Sequence, residues 1–136
     1  MAQTLYFPGG DVFSVTANLL LNTHMADQAI FTAPFACQVT AATWVHATKG
    51  TDAGAVNVQV VKDTATDAPG AGTDLLTDNS NAGFDCKANN NTVLNGTLTG
   101  TVASLQLAVG DRLSLDFAGT LTALAGAQAT VFLKRI

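Results

Sequence analysis

The sequence predicts an all-β protein, an antiparallel sandwich or barrel of about eight to ten short strands. The chain has 136 residues and contains no Glu and few Lys or Arg, whereas Thr, Val, Asn, Asp and Gly are abundant. Thr and Val favour the half-buried surface of a sheet, and Asn, Asp and Gly favour turns. Several segments alternate between apolar and polar residues, and turn signals recur about every eight to twelve residues. Alanine, also common here, is interpreted as a small residue on a packed sheet face.

The first quarter of the chain contains four segments with apolar residues. Residues 4–10 are a short apolar run closed by Pro-Gly-Gly, typical of an arm or an edge strand. Residues 11–16 alternate weakly and predict a strand. Residues 18–27 are ambiguous and compatible with a helical turn, and residues 28–33 predict a strand that ends before Pro34.

The clearest strands follow at residues 37–48 and 55–62, which predict a hairpin with a longer loop. In the first strand, alternation predicts two opposite faces. One face carries Val39, Ala41, Thr43, Val45 and Ala47. The other carries Gln38, Thr40, Ala42, Trp44 and His46. In the second strand, alternation turns Val56, Val58 and Val60 inward.

The second half continues with strands and tight turns. Asn95-Gly96, between β-branched and apolar flanks, predicts a two-residue hairpin. A turn is expected at Gly110-Asp111. The last two strands, residues 112–117 and 127–135, have these expected inward residues: Leu113, Leu115, Phe117, Ala129, Val131 and Leu133, with Phe132 outward.

Composition limits the classes of function. Charged residues make up 12% of the chain and the net charge is -4, so a basic nucleic-acid footprint is not expected. No apolar run is long enough for a membrane span, and the start of the chain has no positively charged n-region of a secretory signal. We expect an N-terminal arm at residues 1–10 and a single β-sandwich domain at residues 11–136.

The sequence contains no convincing catalytic motif. Since no secretory signal is visible, Cys37 and Cys86 are expected to be buried, reduced thiols, with a disulfide as the alternative. No Cys-x-x-Cys pair supports zinc or redox chemistry. His24 and His46 lack a nucleophile motif, and His46 is expected to be structural or to lie on the surface. We therefore expect no catalytic residue, no cofactor and no metal ligand.

Two groups of acidic residues are candidates for a catalytic or a metal site. Asp111 and Asp116 bracket one strand, but an odd spacing places them on opposite faces, which argues against a pair of hydrolytic carboxylates. Residues 78–83 begin like a calcium loop but lack later ligands, so a turn is expected.

Two binding interpretations remain. A carbohydrate-binding head would stack sugars on Trp44 and Tyr6, which are few for such a platform. An assembly protein agrees better with the low charge and with the apolar arm, in which Leu5, Tyr6 and Phe7 suit strand addition between subunits. Trp44 is compatible with the core, with a sheet interface or with a subunit contact, and the core is the default interpretation.

Two segments resemble virion proteins of tailed bacteriophages. Residues 33–42 (APFACQVTAA) are similar to a strand of those proteins, and residues 107–115 (LAVGDRLSL) are similar to another; Gly119-Thr120 followed by residues 131–133 continues the pattern. The resemblance covers about 100 residues in order. It implies a jelly-roll-like β-sandwich and a capsid decoration (cement) protein.

Such a protein would sit as a homotrimer on the outer capsid surface of the virion, made in the host cytoplasm, and would stabilise contacts between capsomers. Its partners would be the major capsid protein and further copies of itself, with no nucleic acid and no membrane. The expected assembly contacts are Leu5, Tyr6, Phe7 and Trp44, and deletion of residues 2–10 is expected to abolish association. The alternative is a phage fibre or receptor-binding head that recognises a surface glycan.

Overall fold

Two five-stranded antiparallel sheets face each other in the computed structural model, which describes residues 11–136. The strands, in chain order, are β1 (Val12–Leu19), β2 (Gln28–Thr32), β3 (Cys37–Thr48), β4 (Asn57–Asp63), β5 (Thr73–Asp74), β6 (Phe84–Asp85), β7 (Leu94–Asn95), β8 (Gln106–Leu107), β9 (Arg112–Ala118) and β10 (Ala125–Arg135). A 3-10 helix (Asn22–His24) and two one-turn segments (Asp78–Asn81 and Val102–Leu105) lie in the connections. The all-β prediction is confirmed.

The strand order is that of a jelly roll. Sheet A runs β1-β10-β3-β7, with β8 paired to the start of β3, and sheet B runs β2-β9-β4-β5, with β6 paired to the start of β4. The pairs are nested, because β1 joins β10, β2 joins β9, β3 joins β8, and β4 joins β5 and β6. Nested antiparallel pairs that alternate between two sheets define this topology. The predicted jelly-roll-like sandwich is therefore the observed fold.

The core lies between the inner faces of the two sheets, with Trp44 near its centre. The Trp44 ring is stacked with Phe84 at a centroid distance of 6.4 Å and meets Phe117 edge-on at 6.1 Å. The inward rows expected from alternation are confirmed, with Phe117 half-buried and these residues buried: Val56, Val58, Val60, Leu113, Leu115, Ala129, Val131 and Leu133. Each buried Val or Leu side chain in these rows contributes about 1.5–3 kcal/mol.

The predicted faces of β3 are wrong in the first half of the strand. The register against β10 changes from Phe132 opposite Ala41 to Leu133 opposite Val39, so Thr40 is an extra residue in β3. A bulge of this kind shifts the alternation by one position. Val39 therefore lies on the buried side together with Trp44, and not on the opposite face.

Two predicted hairpins are also wrong. The strands β3 and β4 belong to different sheets, because the chain crosses the sandwich between them instead of turning back. Asn95 lies opposite Thr43 in an edge pair, and the Gly96 N–H donates to the Ala42 carbonyl at 2.9 Å. A Cβ at Gly96 would lie 2.7 Å from Leu76 Cδ2, so this glycine allows a close approach and not a turn.

Candidate assembly surface

The outer surface of sheet A is free of charge over its central part. Outward positions on its three long strands form what we call face A: Ser14, Thr16 and Asn18 of β1, Gln128, Thr130 and Phe132 of β10, and Ala41, Thr43 and Val45 of β3. Strands β1 and β3 contain no charged residue, and the charged residues of β10 are Lys134 and Arg135 at its end. Arg135 is not on this surface, because its guanidinium lies over the Phe35 ring, 4.7 Å from the centroid. Face A is thus uncharged although 12% of the chain is charged.

Several polar side chains of face A bind each other across the strands. The hydroxyls of Thr16 and Thr130 lie 3.1 Å apart, and the Gln128 amide donates to Asn18 Oδ1 at 3.0 Å. A polar group that already has a protein partner loses less free energy when water is removed from it. Face A can therefore be covered by another protein surface at a lower desolvation penalty than a charged surface of the same size.

Face A has a depression at each of its two ends. At one end, a depression of about 410 Å³ lies among Leu20, Val45, Asn91 and Gln128. At the other end, the Phe132 ring is 41% exposed, beside a second depression of about 340 Å³ bordered by Val12. Exposed apolar side chains grouped on one surface are typical of contact sites between proteins.

The outer surface of sheet B is covered by the chain itself. The connection at residues 64–83 folds over it, and the buried Asp63 carboxylate accepts hydrogen bonds from the N–H groups of Gly70 (3.1 Å) and Gly72 (2.9 Å) and from the Ser114 hydroxyl. The Gln59 side chain, also buried, donates to the Leu76 carbonyl at 2.9 Å. Of the two outer surfaces, therefore, the one left open within the described residues is face A.

Acidic residues gather on the sheet B side. The pKa of Asp116 is raised above its ordinary value, first by partial burial and then by the negative charges of Asp27 and Asp74. This repulsion makes the sheet B side a poor place for two copies of an acidic chain to meet.

Trp44 is not an assembly contact. Its side chain is 0% exposed, because it lies on the inner face of sheet A, opposite the buried Ala129 of β10. For the same reason Trp44 cannot be a platform for stacking sugar rings. Leu5, Tyr6 and Phe7, the other expected contacts, lie outside the described residues.

Two hydrogen-bond partners, the buried Trp44 indole and the partly buried Ala88 carbonyl, set the tautomer of His46. The Trp44 indole N–H donates to His46 Nδ1 at 2.9 Å, and His46 Nε2 lies 2.7 Å from the Ala88 carbonyl oxygen. Because Nδ1 accepts and the carbonyl can only accept, Nε2 must carry the proton. Both ring nitrogens are therefore used in the core, which agrees with the expected structural role.

Both cysteines are free and buried, as predicted. Burial, reinforced by Asp85, raises the pKa of the Cys86 thiol to about 12. Burial and then the nearby Asp111 also raise the pKa of Cys37. A thiol reacts as its thiolate, so these shifts disfavour nucleophilic chemistry at either position.

The remaining candidates for chemistry have structural partners. The Asp111 carboxylate accepts the Ala108 N–H at 2.9 Å and closes the turn at Gly110, where the φ angle is +90°. The Asp78–Asn81 segment is a turn, and the Asp78 carboxylate accepts the Thr97 N–H at 2.7 Å. Within residues 11–136, no group of three or more His, Cys, Asp or Glu side chains is placed to hold a metal ion. The same residues include no helix long and apolar enough to span a membrane.

Sequence reasoning missed face A as a site. Alternation had already turned most of its residues away from the core, and their uncharged character is visible in the sequence. Alternation does not predict which of the two outer sheet surfaces is covered by the rest of the chain.

Comparison with known proteins shows the fold. No protein-family model matches the chain, and no curated protein matches it. Among solved structures, the chain is similar over its whole length to a chain described as "Cyanophage Pam1 capsid asymmetric unit", of which 93% is covered, with 13% sequence identity and a TM-score of 0.56. At this identity the likeness shows that the two chains share one all-β architecture.

Proposed function

We propose that this chain is a structural virion protein that decorates the outside of a phage capsid and stabilises contacts between capsomers. The observation that supports this most is the likeness to a chain of a phage capsid asymmetric unit, which covers 100% of this chain and 93% of that chain and is not confined to one motif. It agrees with the resemblance of residues 33–42 and 107–115 to virion proteins of tailed phages.

The charge distribution favours assembly over catalysis. Face A offers an uncharged surface, whereas His46 and both cysteines are enclosed in the core. The net charge of -4 also favours an exterior position, because a protein that touches packaged genome is usually basic. We expect no enzymatic activity and no glycan binding.

The mechanism is mass action. A protein that binds the assembled shell and not its separated subunits stabilises the shell by RT ln(1 + [L]/Kd), which is about 2.7 kcal/mol when its free concentration is 100 times Kd. A rigid jelly roll suits this role, because it loses little conformational freedom on docking. We expect the protein on the shell to be a homotrimer, with the apolar residues Leu5, Tyr6 and Phe7 in contact with the major capsid protein.

The test uses empty shells of the major capsid protein encoded in the same genome. Wild-type protein is expected to co-sediment with the shells and to raise the temperature at which they disassemble. The full-length variant with Leu5, Tyr6 and Phe7 all changed to Ser should lose binding, whereas Val109→Ser, at a residue 69% exposed on a turn, should retain it. Absence of wild-type co-sedimentation would refute the decoration role, and retained binding of the triple variant would refute the role of the arm.

A further inference from the structure

We propose that face A pairs with face A of a second copy of this chain, about a two-fold axis that runs along the threonine row Thr16–Thr130–Thr43. This contact goes beyond the proposed function and does not depend on it. In a threefold assembly it would join chains of two neighbouring trimers.

The register defines the geometry of such a pair. Thr16, Thr130 and Thr43 lie directly opposite each other across the three strands. A two-fold axis along this row, between two facing sheets, places each threonine over its own counterpart. On each strand, the axis also places the residue two positions before the row over the residue two positions after it in the second copy. Phe132, two positions after Thr130, therefore lies over Gln128 of the second copy.

Under this two-fold rotation, the exposed apolar side chains of face A in one copy face the depressions of face A in the other copy. Phe132, exposed at one end, meets the depression of about 410 Å³ beside Gln128 and Val45 in the second copy. Leu20, which is 68% exposed at the other end, meets the Val12 region, where the depression of about 340 Å³ lies. Each projecting apolar side chain thus has a depression to enter, and the operation produces both contacts twice. Such pairing of one patch with itself is the defining property of an isologous interface.

Charge also selects a second copy as the occupant. Two chains of net charge -4 repel each other, most strongly where acidic residues face each other. Face A carries no charged side chain, so this repulsion is weak where two copies meet there. Lys134, at its margin, would lie over Gly126 of the second copy, so no charge opposes a like charge.

The contact is small. Three strands of about eight residues cover roughly 15 Å by 26 Å, or about 400 Å² on each partner, from the ordinary spacings of a sheet. This is about half of the 800 Å² per partner of a standard stable interface. The pairing is therefore weak between free chains and becomes effective when a shell holds many copies close together.

A cysteine cross-linking experiment on the isolated, full-length protein detects a weak contact of this kind. In the variant Thr130→Cys, the two introduced thiols face each other across sheets about 10 Å apart, within reach of a short bis-maleimide. The native thiols of Cys37 and Cys86 are 0% exposed, so the wild-type protein serves as the unreactive background. The matched control is Thr32→Cys, an exposed strand position on sheet B.

We expect Thr130→Cys to form cross-linked dimers about tenfold faster than Thr32→Cys at equal concentration, because pairing raises the effective concentration of the thiols. Ser14→Cys should cross-link slowly by itself, since its own counterpart lies about 13 Å further along the strands. A mixture of Ser14→Cys with Asn18→Cys should form the mixed dimer rapidly.

Disruption supplies an independent check. Adding Phe132→Asp to Thr130→Cys should reduce the cross-linking rate to that of the control, whereas adding Val109→Asp should leave it unchanged. Equal rates for Thr130→Cys and Thr32→Cys would overturn the proposal. So would rapid self-cross-linking of Ser14→Cys, because it would require a different register. Shell binding is not involved, so a failure here is distinct from a failure of the decoration role.

Discussion

Replacement of His46 with leucine tests how the core of sheet A is joined to the segment that follows β6. In the native fold the His46 ring accepts the Trp44 indole N–H and donates to the Ala88 carbonyl. Leucine occupies a similar volume and is apolar. The substitution therefore leaves the packing nearly filled but removes the partner of one buried donor and of one partly buried acceptor.

The expected loss of stability follows from these two unpaired groups. Each buried polar group left without a partner destabilises the fold by about 1–3 kcal/mol. Partial relaxation of the Ala88 segment toward water reduces the sum, so we expect a loss of about 3 kcal/mol. In a domain with a total stability of about 5–15 kcal/mol, this lowers the melting temperature by roughly 10 °C.

The assay is urea unfolding followed by the fluorescence of Trp44, the one tryptophan of the chain. The midpoint should fall while the slope m stays constant. The control is His24→Leu, at an exposed histidine whose Nδ1 accepts only the Leu21 N–H at 3.3 Å, and its effect should remain within about 0.5 kcal/mol.

A thermodynamic cycle with Trp44→Phe, followed by circular dichroism, isolates the indole–imidazole bond. The His46→Leu loss should be smaller by about 1 kcal/mol in the phenylalanine background, because the indole donor is already absent. A loss below about 1 kcal/mol for His46→Leu in the wild-type background would refute the reasoning.

Three further outcomes are expected. Gly72→Ala should lower the melting temperature by several degrees, because its Cβ would lie 2.0 Å from the Lys62 carbonyl oxygen. The control Gly100→Ala, whose Cβ would have no atom within 4 Å, should not lower it. Equal melting temperatures of the two variants would contradict this. Because the folded pKa of Cys86 is raised from 9.0 to about 12, the folded state retains a proton that the unfolded state loses. Stability should therefore fall between about pH 9 and 12, by up to about 1.4 kcal/mol per pH unit, and Cys86→Ala should fall less steeply in parallel urea titrations. Since the folded pKa of Asp116 is also raised, its charged form opposes folding at neutral pH. Asp116→Asn should increase the melting temperature slightly at pH 7 and lose this advantage as the pH falls below 4; an unchanged melting temperature at pH 7 would show that solvent screens the repulsion.

Local patterns predicted what depends on local structure. The inward rows of β4, β9 and β10 follow from strict alternation and are confirmed residue by residue. The bulge at Thr40 has no such signal, because the extra residue is set by the register against β10, a strand about 90 residues away in sequence. One unpredicted residue thus places Val39 on the same buried face as Trp44, whereas alternation had placed the two on opposite faces.

Strand pairing could not be predicted from proximity in sequence. The nested order places β3 beside β10 and β4 beside β9, so the neighbouring strands β3 and β4 never pair. The Asn95-Gly96 signal was misleading for a related reason. Its glycine is required by the approach of Leu76, which a turn rule based on adjacent residues does not consider.

The two sheet surfaces differ because one connection is long. Residues 64–83 are polar and rich in turn residues, so the sequence indicates an ordinary loop, yet they cover sheet B through the buried groups of Asp63 and Gln59. No comparable connection crosses face A within the described residues. The fold thus satisfies the polar groups of one outer surface internally, and on the other it pairs Thr16 with Thr130 and Asn18 with Gln128.

That difference would allow the chain to fold by itself and still bind other chains, as we propose. Charged side chains on face A would oppose docking through desolvation, and large apolar side chains over the whole face would promote uncontrolled association. Uncharged polar side chains with partners in the same sheet avoid both effects. Because the contact area is small, the free energy of each contact is modest, and many copies arranged on one surface are needed before it becomes decisive. A surface of this kind is suited to proteins that assemble only where a lattice already exists.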